Sequence, residues 1–179
     1  MASCEECGCP GELRDVHDGN ERQSLCEPCA ALVDSDRSIR VSPLECGDLE
    51  LVMAWRSHPK VYDRSRQQDG PLNWDEHVTW FESRDPERQD FILHYDGRRV
   101  GVVSLNTHDE VSIYLGDFSA HGHGVATTAL DWLTERFENR VPLVAEINED
   151  NEASKQLFTK CGFQQEEQDG KWLKYVYES

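Results

Sequence analysis

The chain has 179 residues, of which 35 are acidic and 18 basic, for a net charge of −17. No apolar run approaches the roughly 20 residues needed to cross a bilayer. No cluster of Lys and Arg stands ready to neutralise phosphates, which speaks against nucleic-acid binding.

The polar, cysteine-rich N-terminus lacks the apolar stretch of a secretory leader, so the expectation is a soluble cytoplasmic protein. Its acid is spread along the chain rather than gathered in a tail, which implies an acidic folded surface. Such a surface suits a protein adapted to a salt-rich cytoplasm, or one that attracts a cationic substrate. The diffuse distribution favours the former.

Five of the seven cysteines fall in the first 29 residues. Cys4-x2-Cys7 and Cys26-x2-Cys29, 18 residues apart, have the spacing of a four-cysteine structural zinc site. Cys9 competes with Cys7 for the second position, and His17 stands nearby. Four thiolates would leave no open position for catalysis. Between the pairs, Leu13–Val16 and Arg22–Leu25 read as short strands around the turn Asp18-Gly19-Asn20. So small a unit needs a metal to hold it. Residues 1–33 are therefore read as a zinc-binding hairpin module, 34–37 as a linker and 38–179 as a second domain.

In that domain Ser38–Ser42 reads as a strand. Leu44–Arg56 reads as a helix with Leu44, Leu51 and Trp55 on one face, and Pro59 ends it or starts a new segment. A second helix, Trp74–Ser83, is capped by Asn73 with Glu76 in the capping-box position; Trp74, Val78 and Phe81 are expected to face inward. Phe91–Tyr95 and Val100–Leu105 flank Asp96-Gly97 as a hairpin, followed by a strand at Val111–Leu115. Gly122–Asn139 has helical periodicity through Val125, Ala129, Leu130, Leu133 and Phe137. A strand over 143–147, a helix over Asn151–Cys161 closed by Gly162, and strands Phe163–Gln168 and Trp172–Tyr177 complete the order β-α-α-β-β-β-α-β-α-β-β. The fold class is α+β.

The chemistry centres on His121-Gly122-His123-Gly124-Val125-Ala126, set between a strand and a helix. Small residues let an anion approach the backbone, and the unpaired N–H groups of a helix start point at it. A strand, glycine turn and helix thus make a pyrophosphate site.

These residues resemble those of the GNAT N-acetyltransferases. The family motif Q/R-x-x-G-x-G/A is matched by His121-x-x-Gly124-x-Ala126. The family helix N-x-x-A-x-x-L-Y-x-K-x-G-F is matched by Asn151-Glu152-Ala153 through Leu157-Phe158-Thr159-Lys160-Cys161-Gly162-Phe163. The resemblance covers 38–179 and implies a mixed, mostly antiparallel central sheet flanked by helices. Met53–Pro59, the Trp74–Phe81 helix and Glu110–Gly116 look like the branch that acetylates nucleotide-linked amino sugars, as in the pseudaminic-acid pathway. Ribosomal-protein and antibiotic acetyltransferases share parts of that pattern.

The resemblance implies acetyl-CoA as cosubstrate. The backbone of Ile113, Tyr114 and Leu115 would pair with pantetheine, and His121, Gly122, His123, Gly124, Val125 and Ala126 would hold the pyrophosphate. Asn151 would bond the pantetheine or acetyl end, with Phe158 beside it. Direct transfer needs a base, for which Glu110 is the first candidate and His108 the second, and an acid for the thiolate. Relatives commonly carry tyrosine where this chain has Phe158, which cannot donate a proton; Tyr114 is the remaining candidate donor.

The implied activity is acetyl transfer to a primary amine, with a nucleotide-linked amino sugar as the leading acceptor. A protein or peptide acceptor, with the zinc module docking a partner, is the alternative. A catalytically weak acyl-CoA-binding module is another. A protein partner or a homodimer stays open.

Overall fold

The computed structural model describes residues 2–18, 21–35 and 38–179. Gly19 and Asn20 of the expected hairpin turn, and Asp36 and Arg37 of the expected linker, lie outside the described residues.

The N-terminal unit begins with a tight loop in which Cys4 N–H donates to Cys9 O at 3.0 Å and Gly8 N–H to Cys4 O at 2.9 Å. Gly8 has φ +73, a left-handed conformation that glycine adopts without a Cβ clash. Strands β1 (Arg14–Asp18) and β2 (Glu21–Leu25) pair antiparallel. A helix that the sequence pattern did not announce, α1 (Glu27–Ser35), follows at once. It runs through Asp34 and Ser35, the first two residues of the expected linker.

The larger unit begins with β3 (Ile39–Pro43). The helix expected from Leu44 begins later. Cys46–Asp48 forms a 3-10 turn in which Glu45 and Asp48 cap each other reciprocally, and α2 spans Leu49–Arg56. A short helix α3 (Pro59–Tyr62) starts at Pro59, the second of the two roles expected of it, since proline at a first turn lacks only an N–H that would be unpaired anyway. Helix α4 (Trp74–Glu82) is capped by Asn73, whose Oδ1 accepts from Asp75 and Glu76 N–H. Strands β4 (Gln89–Tyr95), β5 (Arg98–Leu105) and β6 (Val111–Leu115) follow. Then come α5 (Val125–Arg136), β7 (Leu143–Asn148), α6 (Glu152–Lys160), β8 (Gln164–Asp169) and β9 (Trp172–Tyr177).

Two antiparallel sheets result, ordered β3-β4-β5-β6 and β7-β9-β8. They meet side by side through parallel strands β6 and β7, which touch at one bridge, Glu110 to Val144. Beyond that bridge the strands part.

Alternation along β4 divides the core. Phe91 and Leu93 face one cluster with Val41, Leu130, Leu133 and Leu143. Ile92, between them, faces the other with Leu44, Leu49, Val52 and Trp55. Period-two side-chain direction therefore places α5 on one face of the sheet and α2 and α4 on the other. The α5 cluster is continuous with Cys4, Cys7, Cys26, Cys29, Leu32 and Val33 of the N-terminal unit.

Helix α4 keeps the expected inward face at Val78 and Phe81 but not at Trp74. Trp74 is 43% exposed, while His77 is buried and stacks on Trp80 at 5.5 Å. Val78 and Phe81 pack inward as expected. Among the described residues, no helix is long and apolar enough to cross a membrane.

Candidate functional site

Where β6 and β7 diverge, a cavity of about 920 Å³ opens. Of the twelve residues expected to bind the cosubstrate or catalyse, eleven line it: Glu110, Ile113, Tyr114, Leu115, His121, Gly122, Gly124, Val125, Ala126, Asn151 and Phe158. His123 does not. Its ring stacks on Tyr95, 5.4 Å away, outside the cavity. His108 also stands apart, on an exposed turn held by its N–H to Asn106 Oδ1 at 2.8 Å.

The loop into α5 is shaped by glycine. Gly122 and Gly124 both have φ +79, which no helix accommodates, so α5 starts at Val125 rather than at Gly122. Gly124 is the N-cap and no side chain caps the first turn. Its leading N–H groups and the positive end of the dipole are therefore left for an anion. His121 reaches back, with Nε2 3.4 Å from Leu115 O.

Strand β6 sends neighbouring side chains to opposite faces. Ile113 and Leu115 pack toward α5, and Tyr114 packs toward α2 and α4. The Tyr114 hydroxyl is buried without a hydrogen-bond partner among the described residues. Burial drives its pKa well above the ordinary range, partly opposed by the charge of Arg56. Tyr114 is therefore held as a neutral phenol.

Glu110 stands where β6 and β7 touch. Its N–H donates to Asn106 Oδ1 at 3.0 Å, and its Oε2 accepts from Asn106 Nδ2 at 2.9 Å. This clamp fixes one carboxylate oxygen and leaves the other for a proton. Asn151 caps α6, with its Nδ2 donating to Ser154 Oγ at 2.8 Å. Phe158, 4% exposed, sets its ring edge-on to Phe163 at 5.0 Å. Cys161 is buried, and burial raises its thiol to about 12, as befits a core residue.

Sequence reasoning missed most of the wall on the α2 and α4 side. Asp90 is buried and paired with Arg84 at 2.8 Å and Arg88 at 3.0 Å. Arg66 bridges to Glu146 and to Asp169, at 2.6 Å each. Arg56 Nε donates to Gln68 Oε1 at 3.2 Å. Their partners are remote in sequence or sit in irregular loops, so no local spacing announces them.

The cysteines form a second centre. The sulfurs of Cys4, Cys7, Cys26 and Cys29, all buried, lie within 4.8 Å of one another. Cys7 and Cys26 Sγ are 3.7 Å apart. Zn–S bonds near 2.3 Å at tetrahedral angles require sulfurs about 3.8 Å apart, so the donor set fits zinc. Hydrogen bonds from Cys26, then Cys29 and Cys7, hold Cys4 well below the usual thiol range, while Cys26 first among its neighbours pushes Cys29 far above it. Crowded thiols cannot all ionise without a cation between them. Cys9 instead turns its Sγ to Cys7 O at 3.7 Å, and His17 is exposed on β1. The buried indole of Trp132, in the middle of α5, donates to Cys29 Sγ at 3.3 Å.

Comparison with known proteins agrees with this geometry. A family model described as an acetyltransferase (GNAT) domain matches residues 38–164. An uncharacterized protein of Methanocaldococcus jannaschii is 31% identical over 184 residues, covering 93% of this chain and 37% of that relative. The chain thus spans little more than a third of that relative's length. The crystal structure of a domain from the same organism superposes with TM-score 0.73 at 30% identity, covering 79% of this chain and 98% of the other. The microcin C7 self-immunity acetyltransferase, solved with acetyl-CoA and AMP, superposes with TM-score 0.63 at 17% identity over 80% of this chain and 94% of its own, a likeness of fold.

Proposed function

We propose, because the chain belongs to the GNAT acetyltransferase family, that it moves the acetyl group of acetyl-CoA directly to a primary amine of a small molecule. The observation that carries this reading is the meeting of the glycine loop, β6 and the start of α6 around one cavity.

In this reading the uncapped first turn of α5 binds the pyrophosphate through its N–H groups. The edge backbone of Ile113, Tyr114 and Leu115 pairs with pantetheine, and Asn151 and Phe158 enclose the thioester end. Glu110 takes a proton from the acceptor ammonium, directly or through water. The freed amine nitrogen attacks the thioester carbonyl, forming a C–N bond and an oxyanion. Collapse of the oxyanion breaks the C–S bond, and the nitrogen releases its remaining extra proton to water. Phe158 offers the departing thiolate no proton, which comes from water in the open cavity. Tyr114, whose hydroxyl lies on the α2 and α4 side, serves the acceptor rather than the thiolate.

Zinc held by Cys4, Cys7, Cys26 and Cys29 supplies structural stability alone, since four sulfurs leave no position for substrate. Cysteines held as thiols or zinc ligands rather than as disulfides suit a reducing cytoplasm.

Calorimetric titration of acetyl-CoA, at low and at multimolar KCl, tests the reading. Saturable binding is expected. Its absence in folded protein at both salts would sink it.

A further inference from the structure

The cavity inverts the charge of the protein that contains it. The whole chain carries 35 acidic and 18 basic residues. Among the described residues lining the cavity, six are basic and three acidic. A third of all Lys and Arg thus faces one opening, in a molecule with nearly two acids for each base. That balance favours an acceptor that carries negative charge beside its ammonium over one that is only cationic.

Of the six cations, Arg66 and Arg88 have carboxylate partners. Arg56 has none among the described residues. It lies at the C-terminal end of α2, half-buried, with Nε bonded to Gln68. Gln68 is itself fixed, its amide donating to Arg56 O at 2.8 Å and to Gly70 O at 2.7 Å. The guanidinium is therefore positioned by a rigid neutral group, with both terminal nitrogens left unengaged among the described residues. A half-buried charge without a counter-ion is costly to keep, and its planar donor fork matches a carboxylate or phosphate. The unpartnered Tyr114 hydroxyl belongs to the same wall. Lys60 and Arg64, neither of them ion-paired among the described residues, stand at the rim in and just after α3.

The CoA phosphates do not account for this group. The α5 start that suits them lies on the opposite face of β6 from Tyr114, as the division of Ile113 and Tyr114 between the two cores shows.

We infer that the acceptor amine carries an anionic group, a phosphate or a carboxylate, which Arg56 binds with Lys60 and Arg64 assisting at the rim. This inference rests on the acetyltransferase reading and narrows its acceptor. Long-range repulsion by the acidic surface is screened by salt, while the half-buried pairing is screened much less. Selectivity for the anion should therefore survive high salt.

The test uses full-length protein saturated with CoA, so that the phosphate site is already filled. Calorimetric titrations compare glucosamine 6-phosphate with glucosamine, and alanine with alaninamide. The expected result is at least about tenfold tighter binding of the member that carries the phosphate or carboxylate over the partner that lacks it, lost in Arg56→Gln and partly kept in Arg56→Lys. The pair that discriminates identifies phosphate or carboxylate as the source. Equal binding within both pairs, absence of binding included, would overturn the inference. So would discrimination that persists in a folded Arg56→Gln protein. Failure of CoA itself to bind is a different result, which overturns the underlying acetyltransferase reading.

Discussion

Trp132 Nε1 lies 3.3 Å from Cys29 Sγ, joining the centre of α5 to the cysteine cluster of the N-terminal unit. The same helix opens at Gly124, in the loop that lines the cavity. Indole N–H donors to ligand sulfur orient metal sites and tune them. Trp132→Phe keeps the ring against Phe91 but removes the donor. It should cost about 1 kcal/mol, or roughly 3 °C in thermal midpoint, while the metal content stays the same. Calorimetric unfolding with metal analysis checks both.

One zinc per chain is expected by mass spectrometry or atomic absorption. Cys26→Ser should abolish it, whereas Cys9→Ser should not, because Cys9 lies outside the group of four mutually close sulfurs and hands its Sγ to Cys7 O. Losing the metal should lower the unfolding midpoint by roughly 10 °C or more, since binding free energy is folding free energy in such a unit. Zinc retained in Cys26→Ser would refute the assignment.

Gly124→Ala separates conformation from sterics. An added Cβ meets nothing within 4 Å, but the residue sits at φ +79. The strain is about 1–2 kcal/mol. Relaxing it by reshaping the loop should weaken acetyl-CoA binding about tenfold, with little change in the acceptor's KM. Affinity equal to wild type would mean that the loop does not hold the phosphates.

Glu110→Gln should lower kcat by roughly 10²–10⁴-fold and leave acetyl-CoA affinity unchanged. Glutamine can still accept from Asn106, so the clamp survives while the base is lost. A kcat within threefold of wild type would transfer the role to another group.

Acid should weaken the fold through two histidines. Burial first of all lowers the pKa of His77 and of His94 from 6.5. The unfolded chain therefore binds protons that these rings refuse, and their contribution is fully present above about pH 6.5 and lost as the pH falls below it. His77→Phe, which retains a ring to stack on Trp80, should flatten the decline of thermal midpoint just below that pH.

Local pattern carried the parts of the site that are contiguous in sequence. His121–Ala126 and Asn151–Phe163 each combine a glycine or cap with a helix start, and both motifs could be read without knowing their surroundings. The direction of α4 was less legible, because Trp74 and His77 sit one turn apart and differ in which one the sheet covers. Helix α2 was extended too far, since Leu44 packs with Leu49 and Val52 while lying outside the helix. Arg56, Gln68, Asp90 and Glu146 were invisible as a site. They arrive from α2, an irregular loop, β4 and β7, and only the splay of the sheets brings them to one cavity.

The family pattern begins at residue 38, yet the apolar interior does not. Leu32 and Val33 of α1 share a cluster with Val41 and Leu133, and Val41 N–H donates to Glu6 across the junction at 3.3 Å. A chain cut at the recognised start would therefore bare the outer side of α5 to water. Shortened versions of this protein would test solubility before they tested catalysis, and the useful cut lies in the side chains: disarming the cysteines one at a time while the helix above them stays clothed.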